Sequence, residues 1–298
     1  MQAKAEQAVD VGRRADLKTD LKADLKADLH IHSRVSDGSV SIPGIISRAK
    51  DKSLDVIAIT DHDTTSHFSQ IPTDTGRLKV IPGIEISAKC HESGKGVHVL
   101  GYGIARPEIV EELVHPLLVA RGENSERQVQ ILRDAGYDIE PDKLMRADGT
   151  YLYKQHIMEW LVDTGQSPDM FGDFYKSIFK GGGICDIDIE YIEASDAVRT
   201  IKEAGGLAVL AHPGKSNNAE LIPMLVEVGL DGIELNHHAH DEDDRAVIRD
   251  YAQKYGLFLT GGSDYHGAYE PQPFGIGDYI SEQSGVVAIL EHIAAQQQ

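Results

Sequence analysis

Cysteine is nearly missing from this chain. Its 298 residues include two, Cys90 and Cys185. That is too few for a disulfide framework or a thiolate zinc site, so both read as small buried side chains. Positive charge is also scarce: 29 Lys and Arg face 48 Asp and Glu, for a formal net charge of -19. So acidic a surface repels polyanions at long range and argues against a duplex nucleic-acid interface, but not against a small phosphorylated ligand. There is no apolar run of about 18 residues, which excludes a transmembrane helix. The opening stretch, MQAKAEQAVDVGRRADLK, has no apolar core of the signal-peptide kind, so no secretion is expected and the cytoplasm is the expected location. What remains is ordinary for a globular protein, with 41% hydrophobic and 26% charged residues. The length permits one large domain or two smaller ones, with a sizeable core.

A four-residue unit repeats near the start: Ala15-Asp16-Leu17-Lys18, Thr19-Asp20-Leu21-Lys22, Ala23-Asp24-Leu25-Lys26, then Ala27-Asp28-Leu29-His30. Leucine every four residues, with Asp and Lys between, suggests a short amphipathic helix or a frayed arm, and residues 1–24 read as an appendage. Beyond it, short β-rich runs alternate with helical stretches. The expected strands are 28–32, 55–60, 80–87, 97–102, 207–211, 232–235 and 258–261. Helices are expected at 43–52, 195–204, 221–228 and 243–255. Such alternation implies an α/β protein with a parallel sheet, and seven strands fit a closed or nearly closed barrel over 25–103 and 195–298. Residues 104–194 break the pattern. They read as an inserted helical subdomain with helices at 108–120, 123–135, 155–164 and 170–177, ending in a flexible Gly181-Gly182-Gly183 return.

The chemistry lies where the expected strands end. His30 and His32 are two apart in a strand, which puts both imidazoles on one side. Asp37 follows in the loop. The second strand ends in Thr60-Asp61-His62-Asp63, the third carries Glu85, and the fourth carries His98. The fifth ends in His212, the sixth runs into Glu234, His237, His238 and His240, and the seventh ends in Asp264 and His266. Barrel enzymes build their sites at this rim. Imidazole and carboxylate without thiolate suit zinc, manganese or iron(II). A carboxylate such as Glu85 can bridge two ions, and a multinuclear centre suits phosphate ester hydrolysis because it holds phosphoryl oxygens and activates water. Asp61 reads as orienting a ligand and not as binding an ion.

DLHIHSRVSDGS, ITDHDT, GIEIS, HVLGYG, VLAHPG and GGSDYHG, in this order, resemble the motifs of the polymerase and histidinol phosphatase (PHP) superfamily. The resemblance covers about 27–103 and 195–285, with the helical insert in outline, and is nearest to the stand-alone phosphoesterases. It implies a distorted (β/α)7 PHP barrel and two or three divalent ions (Mn, Zn or Fe). His30, His32, Glu85 and Asp264 would hold the first, Glu85, His98 and His212 the second, and Asp37, His62 and His266 the third. The superfamily often has histidine where Asp37 stands. The implied nucleophile is a metal-bound hydroxide, so no side chain is given a catalytic role of its own.

The resemblance also places basic residues of the insert near a substrate phosphate, with Arg121, Arg127, Lys154 and His156 as candidates, and His240 from the barrel. Arg forks match phosphate geometry. Solvated surface charge is the competing reading for the arginines, and core packing for His156. The function so implied is hydrolysis of a phosphomonoester on a nucleotide such as a nucleoside 3′,5′-bisphosphate. The rivals are a 5′-3′ exonuclease on short RNA, a histidinol phosphatase and a non-catalytic metal-binding module. An exonuclease needs stacking aromatics, and Tyr151, Tyr153, Phe171, Phe174 and Tyr175 are either these or the core of the insert. His67, His91, His115 and His292 carry no motif and read as surface or packing residues.

Overall fold

The computed structural model describes residues 24–144, 151–269 and 274–297. The appendage expected at 1–24, apart from Asp24, lies outside them. The described elements are, in chain order, β1 (Ala27–Asp28), α1 (Ile42–Asp51), β2 (Val56–Ile59), β3 (Lys79–Lys89), β4 (Gly96–Tyr102), α2 (Pro107–Asp134), α3 (Pro141–Leu144), α4 (Lys154–Asp163) and α5 (Asp173–Phe179). There follow β5 (Ile192–Glu193), α6 (Ala194–Glu203), β6 (Leu207–Leu210), α7 (Pro213–Ser216), α8 (Ile222–Glu227), β7 (Gly232–Asn236), α9 (Glu242–Tyr255), β8 (Phe258–Gly261) and α10 (Gln283–Gln296).

Local chemistry explains the helix ends. Ser41 caps α1 by accepting from the Gly44 amide, with Pro43 in the first turn and Ile42, Ile45, Ile46 and Ala49 buried at helical spacing. Asp241 caps α9 together with Asp244, and the helix stops at Gly256, whose φ of 67° suits glycine.

Seven strands run in the order β1-β2-β3-β4-β6-β7-β8, with β5 beside β3. Hydrogen bonds from Leu29 N to Gly261 O (3.2 Å) and from His32 N to Tyr265 O (2.9 Å) bring the two edges together. The result is a nearly closed α/β barrel. One strand departs from the all-parallel expectation, because β4 is antiparallel to both β3 and β6. Only six residues separate β3 from β4 (90–95), too few for a parallel crossover. The first strand is also shorter than expected. Past Asp28, Ile31 makes an isolated bridge to Tyr265, and the chain bends into the rim.

Alternation sets the core. Val56 and Ala58 of β2 pack with Leu100, Tyr102, Val209 and Ala211, while Ile57 and Ile59 pack against Ile42, Ile45 and Ile46 of α1. Val286, Ile289 and Leu290 of α10 join the first group. Each such isoleucine or leucine contributes about 1.5–3 kcal/mol on burial.

Between β4 and β5 the helices have their own apolar cluster, including Leu132, Ile157, Leu161 and Phe179. Two helices expected at 108–120 and 123–135 form one, α2. Gly122 does not break it, and a Cβ there would press on the Tyr151 ring. Phe174 and Tyr175 pack against this cluster.

Gly262 is required by close approach, because a Cβ at this position would strike the backbone N of His30 where the barrel edges meet. Gly262→Ala is expected to cost about 1–3 kcal/mol. Gly96→Ala, which meets nothing within 4 Å, should change stability by no more than about 0.5 kcal/mol. Thermal denaturation of the two metal-free variants checks this.

Candidate metal centre

His30 and His32 follow β1, and Asp37 lies in the loop beyond them. Asp61 shapes that loop: its Oδ1 accepts from Ser33 N and Ser36 Oγ, both at 2.7 Å, and its Oδ2 from Ser33 Oγ at 2.6 Å. Asp61 touches none of His30, His32 or His62 by these bonds, so it acts on the chain between the ligands. His62 follows β2, and Glu85 lies within the long β3, bridged to His62 through the backbone. His98 sits near the start of β4, which reaches the same rim because the strand runs backwards. His212 follows β6, and Asp264 and His266 follow β8. Asp63, His212 and Asp264 have positive φ of 55°, 28° and 52°. Such conformations cost energy in non-glycine residues and persist where the surroundings hold them.

Five imidazoles converge on Glu85. Its Oε2 lies 3.0 Å from His30 Nε2, 3.0 Å from His32 Nε2 and 3.3 Å from His62 Nε2. Its Oε1 lies 2.7 Å from His98 Nδ1 and 3.0 Å from His212 Nε2. Asp264 Oδ1 stands 3.4 Å from His30 Nε2 and 3.2 Å from His32 Nε2. Asp37 Oδ1 stands 3.5 Å from His266 Nε2 and 3.7 Å from His32 Nδ1, and its Oδ2 3.9 Å from His62 Nε2.

Three groups have donor atoms within 4.8 Å of one another: His30, His32, Glu85 and Asp264; His32, Asp37, His62 and His266; and His62, Glu85 and His98. The structure thus brings all nine sequence-derived ligand candidates to one place. It differs in detail from the implied sets, since His62 stands beside Glu85 and His98, and His32 faces two groups.

The donor set fits divalent cations. Both ring nitrogens of His32 are buried and make no hydrogen bond among the described residues. Its Nε2 is close to two carboxylates but off the hydrogen-bond direction, the arrangement of ligands aimed at a shared ion. Burial opposes ionisation of Glu85, yet the surrounding His30, His62 and His98 hold its pKa well below the usual range. Asp264 and Asp37 are held low as well, against burial, by Lys215 and His30 in one case and His266 and His62 in the other. Burial lowers His62 to about 4, and burial with Lys215 lowers His212 to about 3. Ionised carboxylates and neutral imidazoles are the ligating forms. Despite burial, His30 is held well above its ordinary value by Glu85, Glu234 and Asp264. A cation there takes over the charge of that proton.

Several neighbours carry no assigned site role in the sequence. Glu234 Oε1 lies 3.0 Å from His30 Nδ1, and its Oε2 accepts from His212 N at 2.8 Å. Its signal is an acid between Ile233 and Leu235, both packed in the opposite, outer core. Lys215 donates to Asp264 Oδ2 at 2.7 Å, as Gln155 does to Asp37 Oδ2. His67 is buried against Ile59 O (3.1 Å) and Asp61 (3.4 Å).

The candidate phosphate contacts separate. Arg121 and Lys154 line a cavity of about 210 Å³ whose other wall includes Asp37, His62 and His98. Arg121 pairs with Asp63 Oδ2 at 2.6 Å and lies over the Tyr153 ring, 5.5 Å from its centre. Burial, then Lys180 and Arg121, lower Lys154, while Asp188 and Asp186 act against them. Arg127 is exposed, reaches Asn124 Oδ1 at 3.5 Å among the described residues, and lines neither cavity at the centre. His240 is committed to the backbone through Leu235 O (2.8 Å) and Gly214 N (3.1 Å). His156 accepts from Tyr153 N at 3.1 Å and lines a different cavity, with Trp160 and Arg34. None of these three lines either cavity at the centre. Phe171 lines a second cavity at the centre, of about 310 Å³, with Lys215, His238 and Tyr269.

Fold and donor set define a barrel protein with a metal centre at its rim. The PHP domain family matches residues 28–208. A phosphoribosyl 1,2-cyclic phosphate 1,2-diphosphodiesterase from Eggerthella lenta is 41% identical over 249 residues, 82% of this chain and 95% of that protein. A 3′,5′-nucleoside bisphosphate phosphatase from Chromobacterium violaceum is 31% identical over 248 residues, 80% of this chain and 86% of that one. The crystal structure of a metal-dependent phosphoesterase from Bifidobacterium adolescentis superposes with a TM-score of 0.81 at 26% identity, covering 91% of this chain and 97% of that one. The chain belongs to the PHP family and is a metal-dependent phosphoesterase. No helix among the described residues is long and apolar enough to cross a membrane.

Glu234→Gln keeps the shape but removes the charge beside His30. It is expected to weaken metal binding by about 10–100-fold, read by titration calorimetry with Mn(II), while the circular dichroism spectrum is unchanged.

Proposed function

We propose that this protein hydrolyses a phosphate ester on a small ribose that carries a second phosphate, with phosphoribosyl 1,2-cyclic phosphate as the favoured substrate. One observation carries the reading. The cavity beside His62 and His98 is also lined by Arg121 and Lys154 of the insert, so a substrate with one phosphate at the cluster could set a second beside these two cations. Both named relatives act, by their names, on a ribose unit with two phosphate positions. The more similar of the two is a cyclic diesterase, which moves the preference from a phosphomonoester to a diester. The bisphosphate monoester is the second reading.

His30, His32, Glu85 and Asp264 would hold one ion, Glu85, His98 and His212 a second, and Asp37, His62 and His266 a third, with manganese, zinc or iron(II) as the fitting metals. Such ions supply Lewis acidity and water activation when bound. The chain's residues do the rest. Arg121, held by Asp63 and the Tyr153 ring, and Lys154 orient the remote phosphate. Glu234 and Asp61 fix the ligand segments. Hydrolysis adds one water across one P–O bond of the ring and leaves a ribose hydroxyl and a phosphate monoester. The two cavities, about 310 and 210 Å³, suit a sugar phosphate better than a threaded strand. The two free, buried cysteines accord with the cytoplasm.

With Mn(II), the phosphorus NMR signal of phosphoribosyl 1,2-cyclic phosphate should disappear faster than those of adenosine 3′,5′-bisphosphate, histidinol phosphate or 5′-phosphorylated RNA, and chelator should stop it. Faster turnover of any of the other three would displace the reading. Lys154→Met should raise KM by roughly tenfold or more with a smaller change in kcat, the scale of one charged hydrogen bond. It is a cleaner test than loss of Arg121, which also neutralises the buried Asp63.

A further inference from the structure

The hydrogen bonds that fix the ligands come from two parts of the chain. Glu234, Ser216, Lys215 and His237, which bond His30, His212 and Asp264, belong to the barrel. Gln155 does not. It stands at the start of α4, donates from Nε2 to Asp37 Oδ2 at 2.7 Å, and lines both cavities. With Oδ2 so engaged, Oδ1 faces His266 Nε2 at 3.5 Å and His32 Nδ1 at 3.7 Å. The donor is a neutral amide. Unlike Lys215 on Asp264, it orients its carboxylate without offsetting the negative charge that a cation needs. Tyr153, two residues earlier, ties the same helix to the barrel through its hydroxyl and His62 O at 3.2 Å, and does not touch Asp37 by that bond.

We propose that Gln155 is a positioning residue for the third ion: it sets the rotation of Asp37 and thereby the retention of metal in the group with His62 and His266. This rests on the three-ion reading of the centre. Outer partners of ligands are worth about 10–100-fold in metal affinity, and a carboxylate on a loop, turning about two side-chain torsions, is where such a partner has most effect.

The test is metal content by mass spectrometry after dialysis against limiting Mn(II), with Mn(II) titration calorimetry, on the full chain and its variants. The parent should hold a third equivalent that Asp37→Asn loses. Gln155→Leu should weaken that equivalent by about tenfold or more and leave the other two unchanged. Gln155→Asn, which keeps the amide but falls short of Asp37, should do the same and guards against a folding defect. The double variant with Asp37→Asn should lose nothing further. Tyr153→Phe should retain the third equivalent. Parental retention in both Gln155 variants while Asp37→Asn loses the ion overturns the role of Gln155 alone. An equal loss in Tyr153→Phe overturns it too, since helix docking would then be the cause. If Asp37→Asn retains every equivalent of the parent, the three-ion reading falls and the proposal with it.

Discussion

The structure turns on one carboxylate. Glu85 is buried in the middle of β3, and its two oxygens meet five imidazoles drawn from the ends or starts of four other strands. An isolated buried carboxylate is prohibitively costly, so its neighbours must be charged, hydrogen-bonded or joined by metal. Each imidazole is in turn held by its own strand terminus. The barrel and the centre therefore specify each other: without closure the histidines do not meet, and without Glu85 they would lose a carboxylate that all five face.

This mutual dependence shows in the backbone. His212 and Asp264 adopt left-handed conformations that ordinary side chains avoid, and Gly262 passes His30 too closely for any side chain. The rim is where the chain departs most from easy geometry. The apolar β2, α1 and α10 contacts below it supply the stability that allows those departures.

Most of the site was legible in the sequence because its ligands come in local pairs and in fixed positions at strand ends. His30 and His32 stand out by spacing, and Asp264 and His266 by their place at a strand end and the motif that carries them. Glu85 is a lone acid in an apolar strand. The antiparallel course of β4 was missed, because alternation suggested a parallel strand and the expected strand ends made the link before it look longer than it is. What stayed hidden depends on long-range approach. Gln155 meets Asp37 across 118 positions, and no local pattern marks it. Arg127 and Arg121 lie on one helix with similar surroundings in sequence, and only the rotation of α2 decides that one faces the cavity and the other faces water. His240 was placed at the site by the resemblance, yet its two nitrogens bond the backbone.

The helix α10 adds one more consequence. Val286, Ile289 and Leu290 fill the end of the barrel opposite the ligands, packed on Leu25, Ala27 and Leu29. The barrel is thus a blind-ended vessel with its contents at the mouth. Among the described residues, both cavities at the centre lie at the other end, at the rim. Their walls are partly made by the helices between β4 and β5, so that insert borders whatever reaches the ligands from there.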